Sequence, residues 1–168
     1  MTEGEKTRIK NKIVKIKKAL TADKKHWGGE YHDGSGLRYL QPALYIQLHD
    51  FTGALRNFNW FDKNFPDDCC SPQFYFEYAL TLFKTKRIEK AEKKIIESLQ
   101  CNHYMVNYFL DHNSLNGLDQ SQWEIKSLVQ YFPYKKEDPI VEGFTAWLTD
   151  ISKSKKFIKA KKSIIERS

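Results

Sequence analysis

Long apolar runs are missing from this chain. None approaches the roughly 20 residues that a bilayer-crossing helix needs, and no apolar segment of the signal-peptide kind follows the charges at its start. No membrane insertion is expected, and the chain is expected in the cytoplasm. Cysteine is scarce: Cys69, Cys70 and Cys101 make an odd set of three, which cannot close into a complete disulfide framework, so reduced thiols are expected. No segment alternates β-branched and polar residues over a strand's length, which excludes an evident sheet. Catalytic and cofactor signatures are absent as well: there is no GxSxG, no HExxH helix, no phosphate loop ending in GK[ST], and no GxGxxG after a strand. No catalytic residue, metal ligand or cofactor is therefore assigned, and the chain is expected not to be an enzyme.

What is present is a chain of 168 residues, 40% of them apolar, enough to bury the core of one domain. Its formal charge of +7 is unevenly placed. Residues 1–25 hold nine Lys/Arg against three Asp/Glu and residues 153–168 seven against one, so the rest of the chain carries a net −5. An acidic body with two basic ends differs from a uniformly basic nucleic-acid binder.

The apolar spacing is helical throughout. Ile9, Ile13, Ile16 and Leu20 recur at steps of four, three and four, which makes residues 1–25 a basic N-terminal helix with one apolar face. HWGGEYHDGSG (26–36) follows and reads as a loop. Asp50 is placed to cap the next helix, which cannot pass Pro66. Ser71-Pro72 and Asp138-Pro139 each resemble a cap followed by a first-turn proline, and Asp119–Gln122 resembles a capping box. The fold class is all-α, in helical hairpins joined by short turns.

Self-comparison shows a repeated pattern. Phe51, Ala54 and Phe58, closed by Pro66, recur as Ile88, Ala91 and Ile95, and again as Phe157, Ala160 and Ile164. Ala54 and Ala91 are 37 residues apart and Ala91 and Ala160 are 69 apart, close to twice a unit of about 34. Leu118, Ser121, Ile125 and Pro133 supply a degenerate copy between them. The second hairpin adds Tyr75, Tyr78, Ala79 and Leu82 on its first helix; the first has Tyr45, with Pro42 at the place of a small residue.

These residues resemble the tetratricopeptide repeat. The resemblance implies a right-handed superhelical array of helix-turn-helix hairpins with helical caps at both ends. Residues 37–68 and 69–103 are the clearest repeats, 104–136 a degenerate one, and 137–168 a C-terminal hairpin. It also implies a concave groove lined by Tyr39, Ala43 and Gln47 from the first hairpin and by Phe76, Leu80 and Lys84 from the second. That surface is apolar with one cation, suited to a peptide or a partner helix. A protein or peptide partner is thus implied. Nucleic acid held by the lysine-rich termini is the second reading, and self-association a further one. The N-terminal helix either caps the array or fills its groove.

Two other segments carry chemistry-bearing side chains. His26, Glu30, His32 and Asp33 sit in the glycine-rich loop, where a turn, a ligand-contacting loop and a catalytic site are the alternatives. Adjacent Cys69-Cys70, with Cys101 and His103 one hairpin later, lack the spaced pairs of a zinc site. On the helix of Phe51 and Phe58, Asn57, Asn59 and Trp60 lie off the repeat pattern; Trp60 is expected to pack against a neighbouring helix, and the two asparagines are unassigned.

Overall fold

The computed structural model describes residues Met1–Arg167. Among these the chain is all-helical, with no strand. Two compact units divide it, Met1–Cys69 and the segment from Cys70 onward, where composition led us to expect one domain. The division falls where the first and second repeats were expected to meet.

In the first unit, helix α1 (Glu3–His26) opens on a capping box that the sequence reading missed: the Glu5 amide donates to Thr2 Oγ1, and the Thr2 amide donates back to the Glu5 carboxylate. Its Ile13, Ile16 and Leu20 are buried against Leu44 of helix α2 (Gln41–Gln47), with Ile9, Tyr31, Leu37, Tyr45, Leu48 and Trp60 around them. Burying each of these aliphatic side chains stabilises the docked helix by about 1.5–3 kcal/mol. The lysines stay on the outer faces. Pro42 lies in the first turn of α2, where a missing N–H does no harm, and it is buried. Helix α3 (Phe51–Asn64) packs on α2 as a hairpin, capped as expected by Asp50, whose Oδ1 accepts from the Gly53 amide at 2.7 Å.

The loop between α1 and α2 is a locked polar turn. Asp23 Oδ2 at the end of α1 accepts from the amides of His32 and Asp33 at 2.8 and 3.0 Å. The buried Asp33 carboxylate accepts from the amides of Leu37 and Arg38 and from Arg38 Nη1. Arg38 Nε in turn donates to Asp68 Oδ2 at 2.6 Å, where the Tyr39 hydroxyl also donates at 2.8 Å. Burial alone would lower the pKa of the guanidinium, but hydrogen bonds to Asp68 and Asp33 raise it above its usual range. Asp33 thus serves the turn, while His26, Glu30 and His32 are exposed.

The second unit is built around helix α4 (Pro72–Lys84), capped by Ser71. Phe74 and every residue from Phe76 to Leu82 are buried, so this helix is apolar nearly all round and lies inside its unit. Helix α5 (Ile88–Cys101) forms a hairpin with it, and helix α8 (Phe144–Ser152) packs on it as well. Helices α6 (Met105–Leu110), α7 (Trp123–Tyr131) and α9 (Lys155–Ile165) complete the unit, with α9 lying on α5 and α8. The Phe76 ring is the centre of an aromatic cluster, 4.8–5.3 Å from the rings of Phe109, Phe132, Tyr134 and Phe144.

The repeat positions divide. Ala54, Phe58, Ala91, Ile95 and Ile125 have no exposure and Phe157 almost none. Ile88, expected to fill the space to a neighbouring hairpin, is 40% exposed, because it begins α5 in the first turn and faces outward. Asp119 does not cap a helix. Its Oδ1 accepts from the Ser121 amide in a turn, and α7 starts later, behind Gln122, with Leu118 exposed in the turn and Pro133 past the helix end. Asp138-Pro139 opens a single 3-10 turn (Pro139–Val141) in place of an α-helix.

One buried acid sets a pH dependence. Glu77 on α4 is 2% exposed, and its Oε1 accepts from both Gln73 Nε2 and the Tyr134 hydroxyl at 2.8 Å. Burial pushes its carboxyl up to about 7, with those two hydrogen bonds acting the other way. Between the ordinary carboxylate value near 4.5 and about 7, the folded chain holds a proton that the unfolded chain has released. Stability therefore falls as pH rises through that window and levels off above it, by a total on the order of 3 kcal/mol. Glu77→Gln is expected to remove this part of the slope, so that urea unfolding followed by circular dichroism finds the variant more stable than the parent at pH 8 but not at pH 5. Equal slopes in the two proteins would show that Glu77 is ionised throughout.

Candidate functional site

Of the six residues assigned to the implied groove, two are closed off within their own unit. Phe76 and Leu80 have no exposure at all. The reason is local: Phe144 of α8 and the Phe132–Tyr134 segment cover the face of α4 that carries Phe76. Lys84 is half-buried, and its Nζ donates to the Glu142 carbonyl at 2.8 Å. In the first unit, Tyr39 is half-buried under the Arg38 guanidinium, 4.4 Å from its ring, with its hydroxyl on Asp68. Ala43 is half-buried and Gln47 exposed at the end of α2. None of the six lines the cavity that the structure does contain there.

That cavity, of about 530 Å³, lies in the first unit among α1, α2, α3 and the loop residue Tyr31, within the size range of small-ligand sites. Helical spacing builds its walls. On α3, Gly53, Asn57 and Trp60 recur at steps of four and three, with Arg56 beside them; on α2, Gln41 and Tyr45 are four apart; on α1, Lys17, Leu20 and Thr21 share a face. The Tyr31 and Trp60 rings meet edge to face at 5.4 Å. Lys17 Nζ sits 5.5 Å from the centre of the Tyr45 ring, a cation–π distance.

Its polar groups set this cleft apart. Gln41 and Asn57 are 2% and 7% exposed. Among the described residues nothing donates to Gln41 Oε1 or Asn57 Oδ1, and the third such buried atom, Thr81 Oγ1, lies elsewhere. Leaving a buried carbonyl oxygen without a donor costs about 1–3 kcal/mol. Both oxygens are enclosed by protein atoms, although other parts of the two side chains line the cleft. Lys17 and Arg56 are exposed, and among the described residues neither forms an ion pair. The lining has no carboxylate, imidazole or thiol, so it offers cations, carboxamides and aromatic faces without a general base or nucleophilic sulfur. A second concavity, on the other unit beside the exposed Trp123 and Tyr131 of α7, is lined by no residue with an orphaned buried atom.

Asn57 and Trp60 were the side chains left over by the repeat pattern. The signal for them was present but unread: Gly53, Asn57 and Trp60 form a second face of α3, rotated from the core face of Ala54, Phe58 and Phe61. Lys17 and Gln41 gave no such signal, since only the docking of α1 brings them together.

In comparisons with known proteins, no family model matches the chain, and no curated protein and no solved structure matches it. The tetratricopeptide resemblance accordingly rests on the residue pattern alone.

Gly53 is where the packing of the cleft is tightest. It is a helical glycine, yet a methyl group there would sit 2.5 Å from Tyr45 Cδ1 and would also overlap the Asp50 carboxylate. In an open helix, Gly→Ala stabilises by about 1 kcal/mol. Here the Tyr45 ring must move, and Gly53→Ala is expected to destabilise by about 1–3 kcal/mol, the range for overpacking. Urea titration of the variant gives the sign, and a gain in stability would contradict the close approach of Tyr45 to α3.

Proposed function

We propose that this chain is a non-catalytic binding module and that its ligand seats in the cleft of the first unit, in contact with Gln41 and Asn57. The observation that carries the reading is a cleft of about 530 Å³ that brings the exposed cations Lys17 and Arg56 together with Tyr31, Tyr45 and Trp60 and has no carboxylate in its lining. The partner meets cations at the exposed edge and aromatic rings within. The interaction role implied by the repeat resemblance therefore belongs here, with Phe76 and Leu80 removed from it by their burial.

The same proposal includes the superhelical arrangement of tetratricopeptide-like hairpins. Its support is that Ala54 and Ala91 are wholly buried at corresponding places in two helical hairpins. It also includes a cytoplasmic setting, supported by the lack of any disulfide among the described residues. Among the described residues no helix is long and apolar enough to cross a membrane.

A buried acceptor left without a donor makes the fold less stable than an apolar group of the same shape would. Asn57→Leu and Gln41→Leu are each expected to raise the stability of the free protein by about 1–2 kcal/mol, while weakening capture of whatever the parent protein retains from a lysate. Thermal unfolding and a paired capture experiment read both effects. Variants that are less stable and capture as well as the parent would assign the two amides to structure alone.

A further inference from the structure

Of the two groups that hold the Glu77 carboxyl, one belongs to its own helix and the other to a cover laid over it. Gln73 Nε2, one turn back on α4, and the Tyr134 hydroxyl each donate to Glu77 Oε1 at 2.8 Å. Tyr134 comes from residues 132–138, the non-helical stretch between the end of α7 and the 3-10 turn at Pro139–Val141. We propose that residues 132–138 form a proton-operated latch, seated on α4 while Glu77 carries a proton and released when it ionises, and that release bares part of the Phe76 face and widens the groove beside α7.

The carboxyl has no cation to keep it charged in place. Among the described residues no ion pair includes Glu77, and what acts on it is burial, with Gln73 and Tyr134 opposing. The helices packed on α4 bring nothing else. On α5, Lys94 lies over the Tyr78 ring and pairs with Glu97, and Glu92 pairs with Lys156 of α9. The remaining charged side chains of α5, and Asp150 on α8, are exposed. From the cover itself, Asp138 acts on Tyr134. A carboxylate so placed needs water, and α4 cannot leave the middle of its unit to find it. The cover can.

Residues 132–138 are lightly held. Only Tyr134 among them is buried. Their ties to other elements are the Tyr134 hydroxyl on Glu77, the rings of Phe132 and Tyr134 5.0 Å from that of Phe76, the edge of Phe132 toward Phe109, and Thr145 Oγ1 donating to the Lys136 carbonyl at 3.1 Å. The Lys135 and Asp138 amides bond within the stretch. A segment with so few attachments opens at lower free energy than the helices around it. Its position also shapes the concavity of about 360 Å³ beside α7, because Phe132 of the cover and Gln73, the other partner of Glu77, both line that groove.

The direction with pH follows from linkage. Seated, the carboxyl holds its proton up to about 7; wetted, it returns toward its ordinary 4.5, so raising the pH between the two favours the released cover. The test is limited trypsin digestion of the full chain at pH 5.5 and pH 8, with mass spectrometry of cuts after Lys135 and Lys136, for the parent, Glu77→Gln and Tyr134→Phe. Rates are compared with Glu77→Gln at the same pH, which cancels the protease's own pH dependence. The parent's rate relative to Glu77→Gln is expected to grow at least about tenfold from pH 5.5 to pH 8, with the α5 sites Lys90, Lys93 and Lys94 intact on the same timescale. Tyr134→Phe loses the tie and is expected to be cut faster than the parent at pH 5.5. Circular dichroism checks that each variant is folded.

A parent-to-variant ratio that stays constant with pH overturns the latch. So do cuts in α5 that keep pace with those in the cover, since the whole unit would then be opening, and a Tyr134→Phe protein cut no faster than the parent.

Discussion

The guanidinium of Arg38, held between the carboxylates of Asp33 and Asp68, is the interaction on which the first unit depends. Three segments meet there: the loop that leaves α1, the turn that enters α2, and the stretch after α3. Asp33 is almost wholly buried, so its charge is tolerated only because two backbone amides and Arg38 donate to it. Removing the cation would leave one buried and one partly buried carboxylate facing each other's segment without compensation. The same ion pairing decides where Tyr31 and Gln41 come to lie, since they flank the residues it ties. A glycine-rich loop that by composition could wander is thereby given one conformation, and a cleft wall is given a fixed place.

The second unit rests on a different constraint. Helix α4 is surrounded by its own unit, so every residue between Phe76 and Leu82 must find a partner inside it. The aromatic side chains do so around Phe76, and Glu77 does so through Gln73 and Tyr134. Burial and the nearby Glu77 both push the Tyr134 hydroxyl upward, which keeps it a donor. A carboxyl in such a place is retained at a cost in stability at neutral pH. It specifies which way the Phe132–Tyr134 segment lies on α4, because only Tyr134 brings a hydroxyl to meet it.

Much of the architecture could be read from residue order. The absence of strands among the described residues, the docked face of α1, the caps at Asp50 and Ser71, and the helix end before Pro66 all follow from local rules, and local rules act on neighbours in sequence. The repeat steps correctly marked Ala54, Phe58, Ala91 and Ile95 as buried. What failed was the assignment of an open face to α4. Phe76 and Leu80 were placed on an open surface by analogy, while α8, more than sixty residues downstream, covers their helix. The cleft was illegible for the same reason: its residues come from α1, a loop, α2 and α3, and no spacing rule links Lys17 to Asn57. Only the surplus polar and aromatic side chains on α3 hinted at it.

Because α1 forms one wall of the cleft, the cleft exists only while that helix is docked. Its attachment to α2 is a stripe of three buried aliphatic side chains with a partly buried fringe, and the rest of its surface faces water. A helix held by so narrow a stripe opens more readily than the hairpin beneath it. A ligand that touches Lys17 and Asn57 at once would then act as a clasp. It would slow the exchange of the amide protons of α1 as a group, including those of turns far from the bound molecule, since the helix leaves and returns as one body.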